Sequence, residues 1–245
     1  MRLSDKTAII TSAGSTIGRA IALRFAGEGA NTILCDYQGD KVAQTARVVE
    51  ELGKEPLVIV SHISQKQAAE DIFTKSLKAF GQVHILINDF NLRSKDAMAQ
   101  ITEEKWDEVL DNNLKNAFLM TQAATPHMVA KKRGKIVNVS SMSYRGVCNS
   151  AHYVAAKTGL LGLTRATAFE LAQHNITVNS IAVGQIETES VRTLSAKEQK
   201  KLVSSIPALR LGQPVDVANV ALFLASDESS FVTGQTIECA GGASI

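Results

Sequence analysis

Tyr153 and Lys157 stand four residues apart in His152-Tyr153-Val154-Ala155-Ala156-Lys157. On a helix, positions i and i+4 share a face, so the Lys157 ammonium is expected beside the Tyr153 phenol. A nearby positive charge favours phenolate. A shift of about three units, worth roughly 4 kcal/mol, would bring the phenol near neutral pH. A tyrosine so poised takes a proton from an alcohol or gives one to a carbonyl. The plainer alternative is a buried tyrosine beside a snorkelling lysine. The rest of the chain decides between the two.

Short apolar runs that read as buried strands lie at 7–11, 31–36, 56–60, 84–88, 135–140, 177–182 and 235–239. Amphipathic segments that read as helices separate them near 17–28, 40–52, 65–80, 103–131, 153–173 and 214–226. Nearly continuous apolar strands suit a parallel sheet covered on both faces. The alternation predicts one doubly wound, Rossmann-type α/β domain over residues 1–245, with a seven-stranded parallel sheet. The stretch 187–206 fits neither role well and is expected to form a mobile, lid-like helical insertion after the sixth strand.

Composition narrows the functional classes. The chain has 245 residues, of which 26 are basic and 24 acidic, for a formal net charge of +2. That balance gives no electrostatic footprint for nucleic acid. Cys35, Cys148 and Cys239 are too far apart for metal or redox spacing, so no metal site and no disulfide framework is expected. No apolar stretch suits a membrane span, and a cytoplasmic location is the default expectation.

In open α/β sheets, ligands bind beyond the carboxyl ends of the strands. The first predicted strand runs into Ser12-Ala13-Gly14-Ser15-Thr16-Ile17-Gly18, with Gly14 and Gly18 but Ser12 and Thr16 where glycines are usual. Small residues there let a pyrophosphate approach a helix N-terminus. Asp36 closes the second strand, 18 residues after Gly18, with Tyr37 beside it. A carboxylate there suits a ribose 2′-hydroxyl and repels a 2′-phosphate, which points to NAD rather than NADP.

With these residues in place the chain resembles the short-chain dehydrogenase/reductase family over its whole length. The segments carrying the resemblance are Asp111-Asn112-Asn113-Leu114-Lys115, the Gly134–Ser141 run, Tyr153-Val154-Ala155-Ala156-Lys157, residues 176–182 and residues 231–242. The resemblance implies Asn113, Ser141, Tyr153 and Lys157 as the catalytic set. Tyr153 would be the general acid/base, and Ser141 would hold the substrate oxygen. Lys157 would tune Tyr153 and bind the nicotinamide ribose. Asn113 would hold a water for proton relay. Counting back from Tyr153 by the usual family spacing gives Ser140, whereas counting along the strand gives Ser141. The strand is preferred, with Ser140 facing the opposite way.

Further cofactor positions implied by the resemblance are His62, Ile63, Asn88, Asp89, Phe90, Val183, Gly184, Ile186 and Thr188. Several depart from the family pattern. Asp89, Phe90 and Asn91 replace small residues of an Asn-Asn-Ala-Gly motif, His62 replaces an aspartate, and Val183 replaces a proline. Thr16 is expected to strain the turn by about 1–2 kcal/mol if that site needs a positive φ, with Gly14 as the alternative place for the turn.

Two functions follow from the resemblance. One is an NAD(H)-dependent oxidoreductase acting on a small carbonyl or secondary-alcohol substrate. The other is a cofactor-impaired homologue serving as a non-catalytic subunit or binding protein. In length and pattern the chain is similar to 3-oxoacyl-(acyl-carrier-protein) reductases, which commonly use NADPH. Met142, Tyr144, Val147, Cys148 and His152 are the expected substrate-pocket wall, with His152 read as a surface residue. A homotetramer is expected, pairing the helices at 103–131 and 153–173 through Leu160, Leu163 and Phe169.

Overall fold

A computed structural model describes residues 1–243. Seven strands form one sheet: β1 (Thr7–Thr11), β2 (Asn31–Asp36), β3 (Leu57–Val60), β4 (Ile85–Asn88), β5 (Gly134–Ser141), β6 (Ile176–Val183) and β7 (Thr236–Cys239). Their order is β3-β2-β1-β4-β5-β6-β7, and every neighbouring pair is parallel. The helices are α1 (Thr16–Gly27), α2 (Gly39–Glu51), α3 (Lys66–Phe80), α4 (Glu103–Leu110), α5 (Asn116–Lys131), α6 (Ala151–Leu171), α7 (Glu189–Arg192), α8 (Ala196–Ser204) and α9 (Pro214–Ala225).

The strands read as uninterrupted apolar runs because both faces of the sheet are covered. Successive side chains point to opposite faces. Ile10 therefore joins a core with residues of α1, α2 and α9, while its neighbour Ile9 joins a second core with residues of α3, α5 and α6. Burying each isoleucine contributes about 2–3 kcal/mol. The order reverses between β1 and β4, so the two halves of the sheet wind away from a crevice there. Thr11, Asp36, Asn88, Ser141 and Val183 are the last residues of their strands, and all lie at that carboxyl edge.

One element differs from the sequence expectation. The helix expected over 103–131 is broken by a π-helical segment, Asp111–Lys115, between α4 and α5. Such turns are rare and mark places where a helix is re-aimed, and Asn113 sits within this one. The 187–206 stretch forms α7 and α8. The latter starts at a reciprocal cap, with Ser195 Oγ accepting from Glu198 N and the Glu198 carboxylate accepting from Ser195 N.

No helix among the described residues is long and apolar enough to cross a membrane, and no potential metal-binding cluster occurs among them. All three cysteines are free. Leu160, expected at a subunit contact, is buried in the chain's own core rather than on a free face, while Phe169 on α6 is 91% exposed and Phe118 on α5 is 43% exposed.

Candidate active site

The turn between β1 and α1 sets the floor of the crevice. Ser12 has φ of 48°, so the left-handed residue of this turn is Ser12 and not Thr16 or Gly14. Thr16 is the first residue of α1, with Ser15 as N-cap accepting from Gly18 N at 2.9 Å. The glycines are required by space. A Cβ on Gly18 would sit 2.2 Å from Ser12 O, and one on Gly14 would sit 2.7 Å from Lys41 Cβ.

Asp36 is buried at the end of β2. Its carboxylate accepts from Gly14 N and Gln38 N, each at 2.9 Å. Lone pairs remain on both oxygens for a ribose hydroxyl. Tyr37 and His62 pack edge to face beside it, with centroids 5.9 Å apart. A cavity of about 370 Å³ lies over this floor, lined by Ser12, Gly14, Ser15, Thr16, Ile17, Asp36, Tyr37, Asp89 and Thr188 among others. A smaller one beside it takes in His62, Ile63 and Phe90. The N-terminus of α1, two space-enforced glycines and a buried strand-end carboxylate fit the adenosine and pyrophosphate half of a dinucleotide.

The opposite end of the crevice holds the reactive groups. A cavity of about 200 Å³ is lined by Ser141, Tyr153, Lys157, Val183, Gly184, Ile186 and Thr188, together with Asp89, Asn91, Arg93 and Gln185. Tyr153 is 3% exposed and Lys157 is 1% exposed. Lys157 Nζ donates to Phe90 O at 2.6 Å and Val139 O at 3.1 Å, and lies 5.7 Å from the Tyr153 ring centroid. One N–H remains for another acceptor. Burial pushes the ammonium down to about 8, against the pull of Asp89.

The Tyr153 phenol is not poised near neutrality as expected. Burial raises it above its ordinary value and outweighs the favourable influence of Ser141 and Arg93, while Asp89 raises it further. The lysine that was expected to lower it is committed to two backbone carbonyls. The hydroxyl itself donates to Asn91 Oδ1 at 2.8 Å.

Ser140 and Ser141 face opposite ways, as strand alternation requires. Ser140 Oγ is buried and donates to Lys157 O at 3.0 Å, whereas Ser141 lines the cavity and accepts from Ser143 N at 3.1 Å.

Three expected site residues, Asn88, Asn113 and Gly18, lie outside the cavities. Asn88 is an interior amide of the sheet, donating to Asn138 Oδ1 at 2.9 Å and Thr121 Oγ1 at 3.2 Å. Asn113 donates to Leu92 O and Val109 O, both at 2.8 Å, and accepts from Leu92 N at 3.1 Å. Its side chain anchors the turn after β4 and keeps only a second lone pair on Oδ1 for a water. Gly18 likewise backs Ser12 rather than lining the cleft.

The expected pocket wall is also revised. Tyr144 turns away to donate to Glu238 Oε1 at 2.7 Å. His152 is fully buried, with Nδ1 accepting from Tyr153 N at 3.0 Å and Nε2 facing Asp96 at 3.1 Å. Cys148 and Val147 are exposed. The wall near Tyr153 is instead built by Arg93, Gln185, Ile186 and Val191. Arg93 makes no ion pair among the described residues, and its guanidinium carbon lies 6.0 Å from the Tyr153 ring centroid. Neither Asn91 nor Arg93 carries a motif that marks a site. The signal for Asn91 was its departure from an expected glycine.

Comparison with known proteins gives a consistent picture. A family model described as enoyl-(acyl carrier protein) reductase matches residues 12–244. The chain is 39% identical over 245 residues to the (2S)-[(R)-hydroxy(phenyl)methyl]succinyl-CoA dehydrogenase subunit BbsD of Thauera aromatica, covering 100% of this chain and 99% of the relative. It is 38% identical over 243 residues to the 3-oxoacyl-[acyl-carrier-protein] reductase FabG of Thermotoga maritima, covering 99% of each. A solved structure from Burkholderia xenovorans, described as a short-chain dehydrogenase/reductase, superposes with a TM-score of 0.93 at 35% identity, covering 98% of this chain and 97% of that one.

Proposed function

The chain belongs to the short-chain dehydrogenase/reductase family of oxidoreductases, and from that membership we propose that it is an NAD(H)-dependent enzyme interconverting a carbonyl and a secondary alcohol. The observation that carries this reading is the convergence of Ser141, Tyr153 and Lys157 on one cavity at the carboxyl edge of β5 and β6. When bound, the nicotinamide supplies or accepts the hydride.

The chain's own groups handle orientation and the proton. Ser141 Oγ hydrogen-bonds the substrate oxygen and fixes the carbonyl carbon in place. Tyr153 Oη gives its proton to that oxygen in reduction and takes it back in oxidation. Lys157 holds the floor of the site through Phe90 and Val139, and its third N–H would be available to a ribose hydroxyl of the cofactor. Asn113 positions the turn carrying residues 90–92. The α7–α8 segment, which brings Thr188 and Ser190 to the cleft, acts as the lid.

Arg93, close to Tyr153 and without an ion-pair partner among the described residues, favours a substrate that carries an anionic group. The exposed Phe118 and Phe169 support assembly as a homotetramer through α5 and α6, and light scattering reports the mass. Asp36 supports NAD over NADP, because its buried charge would meet a 2′-phosphate at close range. Titration with NADH and NADPH tests the preference. The expected result is tighter NADH binding, with Asp36→Ala narrowing or reversing the difference by about tenfold or more.

A second reading has its own support. The Asn91 amide on the Tyr153 hydroxyl and the buried Asp89 carboxylate favour a non-catalytic subunit. A chain that binds neither dinucleotide under any condition would establish that reading instead.

A further inference from the structure

Asp89 enters the crevice directly after β4 and is 3% exposed. Its backbone N–H donates to Thr11 Oγ1 at 2.8 Å, which fixes the turn to the end of β1. Ser15 Oγ donates to Asp89 Oδ2 at 3.0 Å while accepting from Gly18 N at 2.9 Å. The carboxylate is thereby linked to the first turn of α1 through the N-cap hydroxyl. That first turn has no acidic residue of its own. The positive end of a helix attracts an anion, and a pyrophosphate is the anion such a turn ordinarily receives. Here the protein's own carboxylate occupies that role. It also lines both large cavities of the crevice, between the adenosine floor and Tyr153.

We infer that Asp89 is the internal counter-ion of α1 and gates the dinucleotide site: a pyrophosphate takes the N-terminus of α1 only when Asp89 is neutral or has left Ser15. This inference rests on the NAD(H) reading above. Charged groups reach Asp89 from several elements. Lys157 and Tyr153 face it from α6, Asp36 from β2 and Arg93 from its own turn, while Lys41 of α2 and Glu189 of α7 line the shared cavity. Burial dominates this balance and pushes the Asp89 carboxyl up to about 6. Lys157, Ser15 and the Gly18 N–H pull it down, and Asp36 adds to the rise. A ligand that prefers the neutral form must then bind with uptake of a proton above that pH, and its affinity must fall as pH rises.

Calorimetric titration of the full chain with NADH, at about pH 5 and about pH 8 and in buffers of different ionisation enthalpy, tests the gate. For the parent, the expected result is at least about tenfold weaker binding at the higher pH, with about one proton taken up per NADH bound. Asp89→Asn, of nearly the same shape, should bind equally at both pH values and as tightly as the parent at low pH. The parent's proton uptake is read without any variant, so the test survives if Asp89→Asn folds poorly. Equal, pH-independent affinity in parent and variant overturns the gate and leaves the NAD(H) reading standing. Absence of NADH binding to both proteins at both pH values overturns the gate and that reading together.

Discussion

The Tyr153 hydroxyl donates to Asn91 Oδ1 at 2.8 Å, joining α6 to the turn after β4 across 62 residues of sequence. A phenol that donates to an amide oxygen is held in its neutral form. Asn91 stands where the family pattern has glycine. Asn91→Gly is therefore expected to lower the Tyr153 pKa by up to about one unit, the equivalent of one neutral hydrogen bond. The alkaline absorbance titration of tyrosinate, with Tyr153→Phe as the background, measures this. An unmoved titration would mean that the contact carries no energetic weight.

Ser140 and Ser141 should separate stability from turnover. Ser140→Ala removes a buried hydrogen bond to Lys157 O and should cost about 1–2 kcal/mol in urea unfolding, with a small effect on kcat. Ser141→Ala should lower kcat by about 10–100-fold with little change in stability. The opposite pattern would transfer the substrate-binding role to Ser140.

The backbone strain of the phosphate-side turn belongs to Ser12, at φ of 48°. Ser12→Gly should raise stability by about 1 kcal/mol, because a left-handed conformation penalises any residue with a Cβ. Thr16→Gly should give no gain and a small loss, since Thr16 already sits in ordinary helical geometry at the start of α1. Thermal unfolding of the two variants checks the order.

Asp89 should leave a signature in stability as well as in binding. Burial holds its carboxyl at about 6 in the folded protein, above the ordinary aspartate value. The folded state thus holds a proton that the unfolded chain has released. Stability from this group is fully present below about pH 4 and is lost as pH rises through about 6, by up to about 3 kcal/mol. Asp89→Asn should therefore match the parent in acid and exceed it at neutral pH. A stability difference that does not change across that window would contradict the assigned burial cost.

Much of the fold was legible because a doubly covered parallel sheet demands apolar strands. Runs such as Thr7–Thr11 and Ile85–Asn88 announce themselves without reference to partners. The π turn at Asp111–Lys115 was not legible, since its residues suit an ordinary helix and only the packing around Asn113 bends them. A pattern of missing glycines showed that the β1–α1 turn was unusual, but could not say which position takes the positive φ. The i, i+4 spacing of Tyr153 and Lys157 placed the two side chains on one helix face, and both line one cavity. It could not foresee that Phe90 O and Val139 O hold the ammonium, because those carbonyls come from distant strand ends. Asn91 and Asp89 were visible as departures, yet their partners Tyr153 and Ser15 are 62 and 74 residues away in the chain.

The most direct test of the central claim is turnover of Tyr153→Phe against the parent, followed through nicotinamide absorbance with a panel of oxo-acyl and other carbonyl compounds. The parent should oxidise NADH with at least one of them. The variant should lose about 10²–10⁴-fold in kcat while still binding NADH in the same cleft. A variant that turns over like the parent, with NADH bound equally by both, would contradict the assignment of Tyr153 as the proton donor.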